Sequence, residues 1–313
     1  MASYLIKRIL ATIPVMLFVA IFIFLLLRLT PGDPAAIIAG DFATDEQIAE
    51  IRQKLGLTEP LWKQFVIWIT NALQFELGES FYYKKQVSEL IAQRIEPTFS
   101  LSLITIIFTV AIAVPLGTIA AYKQGSWLDR GIMGFSVMGF SLPVFVIGYG
   151  LIYVFSLTLQ MFPVQGYIRF GDSVLGWLHQ LILPALALSV IFVAFIARMT
   201  RTSVLEVLGE DYIRTARAKG QTETRVLMRH ALRNAAVPIV TVIGLAIAIL
   251  IGGVVVTESV FNIPGLGLMT VEAVLNRDFP TVQAVILFFS IIYVLVNLLI
   301  DLSYTFLDPR IRY

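Results

Sequence analysis

The run NAAVPIVTVIGLAIAILIGGVVVT, Asn234–Thr257, lies between Arg233 and Glu258 and holds 24 residues without one ionisable side chain. A helix rises about 1.5 Å per residue, so roughly 20 apolar residues cross the ~30 Å hydrocarbon core of a bilayer. This run is long enough to do so. Outward from it, five more charge-free gaps recur: Arg8 to Arg28 (19 residues), Glu96 to Lys123 (26), Arg130 to Arg169 (38), Asp172 to Arg198 (25) and Asp278 to Asp301 (22). Pro143 and the polar stretch Gln160–Gln165 divide the 38-residue gap into one expected helix, from about Ile132 to Leu157, and a re-entrant or surface segment. The expected fold class is therefore an all-α polytopic membrane protein of about six transmembrane helices.

Composition agrees. Of 313 residues, 58% are hydrophobic and 14% charged, and mean hydropathy is +0.85, whereas a soluble domain carries about a quarter charged residues. The formal net charge of +2 gives no reason to expect a nucleic-acid partner, and the bilayer is the expected surroundings. With no cysteine, disulfides, thiolate metal sites and a cysteine nucleophile are excluded. His179 and His230 stand 51 positions apart, which leaves no histidine cluster for a metal or for catalysis. Lys7 and Arg8 before the first apolar run also suit a signal peptide. The 19-residue run exceeds the usual h-region of about 7 to 15, and no small-x-small pattern closes it before Pro31, so an uncleaved anchor is expected.

Lys and Arg orient the spans. With the N-terminus inside, 14 of the 23 lie inside, and seven of the other nine sit in or beside the long segment after span one. That leaves only Arg169 and Arg277 in the two short outside loops, so both termini are expected in the cytoplasm. The segment 30–97 reads as an extracytoplasmic helical piece. Its sequence DEQIAEIRQKLGL carries an apolar stripe of Ile48, Ile51, Leu55 and Leu57, with Thr44 as N-cap and Gly56 as stop. Trp62, Phe65, Trp68 and Phe75 either bind a partner or sit at the lipid headgroups.

The other soluble piece, 200–234, is cytoplasmic and basic. EDYIRTARAK ends before Gly220, which suits the residue after a helix, and TETRVLMRHALRN opens with Thr222 as a further N-cap, so a helix-turn-helix hairpin is expected. A basic face against anionic lipid accounts for its charge but not for its glycine punctuation or length. There is no GxxxxGK[ST] loop, so ATP hydrolysis is not expected of this chain alone. The glycines of GYG and PGLGLM suit close helix contacts or turns. No span is expected to hold an internal ionisable residue, Asp301 being interfacial, so a motor or gradient would be coupled from outside the spans.

At EDYIRTARAKGQTETRVLMRHALRNAAVPIVTVIG, Glu210–Gly244, the sequence resembles the coupling loop of ABC importer permeases, in particular the dipeptide/oligopeptide/nickel branch. The general pattern is EAA, three residues, G, nine residues, then I-x-L-P. With Gly220 as the glycine, the EAA positions are Arg214, Thr215 and Ala216, and the I-x-L-P positions are His230, Ala231, Leu232 and Arg233. Arg for Glu, Thr for Ala, His for Ile and Arg for Pro depart from that pattern, whereas RTARAKG…RHALRNA follows the peptide branch's own wording. YLIKRILATIP…LTPGDPA near the N-terminus, VTESVFNIPGLG at Val256–Gly267 and DPRIRY at Asp308–Tyr313 resemble the same branch.

The resemblance implies one permease domain over 1–313, with a transmembrane core at 98–313 and a coupling helix between spans four and five. It implies a bacterial cytoplasmic (inner) membrane location, a second and non-identical permease subunit, two cytoplasmic ATPases holding ATP and Mg, and an extracytoplasmic solute-binding protein. No cofactor is expected on this chain. Docking to the ATPases would fall to Glu210, Tyr212, Arg214, Ala216, Gly220 and Arg229: Tyr212 as anchor, Ala216 and Gly220 for close approach, the charges for register. Ser136, Ser141, Pro143, Thr241 and Thr257 are candidate pathway positions, although Ser and Thr also bond helix to helix. Peptides are the leading substrate class; nickel, glutathione and oligosaccharides are alternatives within the family, and an ion-coupled secondary transporter is the rival outside it.

Overall fold

The computed structural model describes residues 2–29, 35–36, 44–54 and 56–307. Positions 30–34 of the LTPGDPA stretch, Leu55 of the apolar stripe and the terminal DPRIRY motif lie outside these residues. Among the described residues twelve helices follow one another: α1 (Ala2–Leu29), α2 (Asp45–Lys54), α3 (Leu61–Leu73), α4 (Val87–Tyr122), α5 (Trp127–Ser141), α6 (Val144–Leu151), α7 (Val174–Leu208), α8 (Asp211–Ala218), α9 (Glu223–Arg225), α10 (Ala236–Phe261), α11 (Leu266–Leu275) and α12 (Phe279–Leu307). Wider π-type turns extend α6 through Ile152–Thr158 and α9 through Val226–Leu232. Among the described residues there is no strand beyond one isolated antiparallel bridge, Glu79 to Gln86.

Among the described residues four helices, α4, α7, α10 and α12, are long and apolar enough to cross a membrane, and α5 with extended α6 makes a fifth if the bent pair counts as one span. The described apolar part of α1 is Leu10–Leu25. The expected single helix from Ile132 to Leu157 is not there: α5 and α6 meet at 104°. Pro143 has no N–H to continue the ladder and pushes Leu142 out of the helical region, to φ −97° and ψ 125°. The second span also starts earlier than the charge gap implied, since α4 begins at Val87 and carries Pro97 and Pro115 inside it.

Contacts divide the chain into two compact units, Met1–Glu96 with Leu268–Val294, and Pro97–Gly267 with Leu295–Tyr313. In the first, Thr44 and Gln47 cap α2 reciprocally, the Gln47 N–H donating to Thr44 Oγ1 at 3.3 Å and the Thr44 N–H to Gln47 Oε1 at 2.9 Å. Gly56 follows α2 with φ +64°, the left-handed turn expected of a helix stop. The loop after α3 is tied down by buried Asp278, which accepts from Ser80 Oγ at 2.5 Å, Thr281 Oγ1 at 2.7 Å and the Phe81 N–H at 3.0 Å. Beside it the Tyr83 hydroxyl donates to Glu272, and Arg94 stacks over the Tyr83 ring at 4.8 Å. Burial and then the Glu272 bond push the Tyr83 phenol well above the usual tyrosine range.

In the second unit the core joins Leu101 and Ile104 of α4, Leu188, Phe192 and Ile196 of α7, and Val242, Leu250 and Val254 of α10. Lipid tails are as apolar as these side chains, so close packing rather than water exclusion favours such contacts in a bilayer. Small residues permit it: a Cβ on Gly139 of α5 would stand 2.9 Å from Ala194 of α7, and one on Gly117 of α4 would strike the Ala197 carbonyl. α5 is also ionically fastened to α7. Arg201 donates to Asp129 from Nε at 2.5 Å and from Nη2 at 2.8 Å, and Asp129 Oδ2 accepts the Gly125 N–H at 2.9 Å. Ser126 caps the same helix by accepting the Asp129 N–H.

A second buried acid corrects the expectation that the spans hold none. Glu258 bounds the charge-free run, yet α10 continues to Phe261 and Glu258 is fully buried in its last turn. Thr98 Oγ1 donates to it at 2.6 Å and itself accepts the Leu266 N–H at 2.8 Å. Asn262 at φ 48° ends α10 in a left-handed cap, which turns the chain back so that Gly265 and Gly267 lie against the Glu258 carboxylate. Any Cβ on Gly265 would collide with that group, and one on Gly267 would stand 2.9 Å from its Oε2. Gly265→Ala is therefore expected to destabilise the chain by about 1–3 kcal/mol through overpacking. An unchanged thermal midpoint in detergent would contradict this packing.

Candidate functional site

The hairpin begins where α7 gives out at Leu208. Glu210, at φ −70° and ψ 149°, turns the chain into α8, an eight-residue helix. One side of α8 faces inward through Ile213, which is fully buried, while Ala216 is half-buried and Tyr212, Arg214, Thr215 and Arg217 are exposed. Arg214 pairs with Asp211 within the helix, and Arg217 reaches across the turn to Glu223 with two bonds of 2.8 and 3.2 Å. Both pairs are solvent-exposed, so they set register more than they add stability.

Gly220 lies between the two arms at φ +76°, a conformation L side chains rarely adopt, and a Cβ there would meet nothing within 4 Å. The Gly220 N–H donates to the Arg217 carbonyl at 2.9 Å and the Gln221 N–H to that of Ala216 at 3.2 Å, which completes the expected C-terminal turn. Thr222 has the backbone of an N-cap, φ −67° and ψ 145°, but its side chain makes no cap bond. The second arm is also not the simple α-helix expected, because only Glu223–Arg225 is α-helical before the wider turns start.

The second arm is seated by a small apolar cluster of Ala121, Val204, Ala231, Ala235 and Ile239, which joins it to α4, α7 and α10. On the first arm, desolvation raises the Tyr212 pKa and the neighbouring Asn234 side chain opposes the rise. Asn234 in turn donates to the His230 carbonyl at 2.7 Å. Glu210, Tyr212, Arg214, Ala216 and Gly220 thus all lie on α8 or at its ends, and Arg229 is exposed on the second arm.

The five pathway candidates are not gathered in the same way. Ser136, Ser141, Thr241 and Thr257 each donate to the carbonyl four residues back on their own helix, at 2.9, 2.9, 2.8 and 3.1 Å. Ser136 and Thr257 are buried, Ser141 and Thr241 exposed, and Pro143 opens α6 at the corner. A small cavity among Ile106, Thr109, Phe192, Ile196, Ile243 and Leu250 includes none of the five. His179 stacks on Phe162 at 4.9 Å, and no group of three His, Asp or Glu able to hold a metal occurs among the described residues.

Such a fold, apolar spans with an exposed hairpin of short helices seated on their ends, defines a membrane component. Residues 113–313 match the family of binding-protein-dependent transport system inner membrane components, and residues 1–102 match the corresponding N-terminal family. The chain belongs to the binding-protein-dependent transport system inner membrane component family. It is 53% identical over 313 residues to a protein of Sinorhizobium fredii named a probable peptide ABC transporter permease, and 44% identical over 313 residues to the glutathione transport system permease GsiC of Escherichia coli O6:H1. Both alignments cover all of each chain. In fold it is similar to a chain of the inward-facing methionine ABC transporter MetNI, with a TM-score of 0.57 at 19% identity over 70% of this chain and 96% of that one.

Proposed function

We propose that the chain is a pathway-forming permease subunit of an ATP-driven importer in the bacterial inner membrane, with peptides as its substrate class. The observation that carries this reading is the hairpin: a short helix with one buried face and a polar outer face, closed by a left-handed glycine and braced across the turn by the Arg217–Glu223 pair. Six transmembrane segments, α1, α4, bent α5–α6, α7, α10 and α12, then put both termini and the hairpin in the cytoplasm, as the distribution of Lys and Arg favours.

Glu210, Tyr212, Arg214, Ala216, Gly220 and Arg229 dock a cytoplasmic ATPase, which holds ATP and Mg. Closure of two such ATPases on nucleotide moves the hairpins of this chain and of a second permease subunit. The seating cluster on α4, α7 and α10 passes that displacement to the spans and alternates access between the two sides. Substrate arrives from an extracytoplasmic binding protein. Similarity to the Sinorhizobium protein supports peptides; glutathione, itself a tripeptide, is the second reading, supported by the 44% identity to GsiC. Ion-coupled transport is less well supported, since buried Glu258 is already bonded to Thr98 instead of standing open to a water path.

Tagged chain should co-purify from native membranes with a second permease and ATPases bearing GxxxxGK[ST] loops. In proteoliposomes that assembly, supplied with binding protein and ATP, should accumulate labelled peptide. A chain that purifies alone and transports under an ion gradient without ATP would refute the proposal. Uptake of glutathione but not of other peptides would narrow the substrate.

A further inference from the structure

The four aromatic residues after the first span do not act alike. Phe65 and Trp68 turn inward from α3 onto Phe24 of α1, with ring centroids 5.4 and 6.0 Å from it. Trp62 and Phe75 remain exposed, at 69% and 80%. Along α3 the positions Trp62, Val66, Ile69 and Leu73 recur at steps of four, three and four, which places them on one helix face. Three of them are exposed, with Leu73 at 77%. A second stripe, Lys63, Ile67, Thr70 and Gln74, is exposed and polar at every position but Ile67. α3 therefore has three sides: one on α1, one apolar and open, one mostly polar and open.

Arg28 fixes the level at which this helix sits. It is the first charge after the 19-residue apolar run of α1, and a charge at the end of such a run marks the edge of the hydrocarbon. Its Nε donates to Gln64 Oε1 of α3 at 2.9 Å. Below that bond the open face of α1 is apolar, with Phe18 69% and Phe22 55% exposed. The open apolar stripe of α3 thus adjoins a surface made for acyl chains, at the depth where headgroups begin. A helix with one apolar face, one polar face and a tryptophan at that depth has the pattern of an interfacial helix.

We infer that α3 lies in the outer membrane interface, with Trp62, Val66, Ile69, Leu73 and Phe75 set into the lipid and Lys63, Thr70 and Gln74 in water. The partner of this surface is the lipid bilayer, and the inference rests on α1 being a membrane span. Because the chain has no cysteine, single cysteines carrying a nitroxide report depth without a background label. The full chain in nanodiscs would be labelled at Val66, Leu73, Lys63, Gln74 and, as a control in the middle of α1, Phe18. Collision with oxygen, which concentrates in lipid, should exceed collision with an aqueous nickel chelate several-fold at Val66→Cys, Leu73→Cys and Phe18→Cys. The order should reverse at Lys63→Cys and Gln74→Cys. Water-like values at Val66 and Leu73 with a lipid-like value at Phe18 would overturn the inference and leave the span intact. Shielding from both reagents at Val66 and Leu73 would overturn it in favour of a protein partner. A water-like value at Phe18 would overturn the reading of α1 as a span, and the inference with it.

Discussion

Gly220→Arg is expected to reduce ATP-driven uptake to background while the chain still inserts and purifies. At φ +76° an L residue is strained by about 1–2 kcal/mol, and nothing of this chain lies within 4 Å of the added Cβ, so the hairpin tolerates the change. What alters is the surface proposed to meet the ATPase, where a long cation projects from the tightest point of the turn. Gly220→Asn is the informative companion, since asparagine accepts left-handed backbone with little strain and adds no charge; it should keep most uptake. Both variants would be compared for membrane content, co-purifying ATPase and accumulation of labelled peptide. Wild-type uptake by Gly220→Arg would remove Gly220 from the docking surface.

Asp129→Leu is expected to be the most destabilising single change outside the packed glycines. It leaves the guanidinium of Arg201, which is 23% exposed, without its two-pronged partner, and removal of one member of a largely buried pair destabilises by roughly 3 kcal/mol. In a chain of this size that lowers the thermal midpoint by about 5 °C or more. The double variant Asp129→Leu with Arg201→Met should recover much of the loss, because the cost lies in the orphaned charge more than in the absent bond. Thermal denaturation of the purified variants in detergent is the check. Equal midpoints for the two single variants and the double would mean that water satisfies Arg201 as well as Asp129 does.

The sequence made some elements plain and hid others for identifiable reasons. α7, α10 and α12 were legible because apolar length is itself the requirement for crossing lipid. Thr44, Gly56 and Gly220 were legible because caps and left-handed turns are chosen by local chemistry. The break after Ser141 was only half legible: Pro143 was visible as an interruption, but whether a proline kinks a helix or ends it depends on what packs against both halves. The tie of Asp129 to Arg201 spans 72 positions and that of Thr98 to Glu258 spans 160, so no window of sequence contains both partners. For Glu258 the charge is a poor marker, since this carboxylate bounds the charge-free run but lies inside the helix. The proposed docking residues are legible through the resemblance of their glycine and spacing to a known family, and their grouping on α8 follows from helix period; the seating of the second arm on α4, α7 and α10 has no signal in the sequence. The pathway candidates were chosen by residue type alone, and each hydroxyl turned out to be occupied by its own helix.

The corner between α5 and α6 sets a condition on what surrounds it. A helix that stops exposes carbonyls at its end, and a helix that restarts exposes N–H groups at its beginning. Here only a short turn onto the Pro143 carbonyl, from Val146 at 3.0 Å and Ile147 at 3.3 Å, re-engages the restart. Ser141, Leu142 and Pro143 are all exposed on the isolated chain. Hydrocarbon has no donors or acceptors to offer such groups, and open backbone is tolerated at membrane depth only against protein or water. With α5 and α6 proposed as one bent span, the corner becomes a place where the solvent of the chain ceases to be lipid: an elbow that must be wet, or roofed by a neighbouring subunit, whenever the bilayer surrounds the rest.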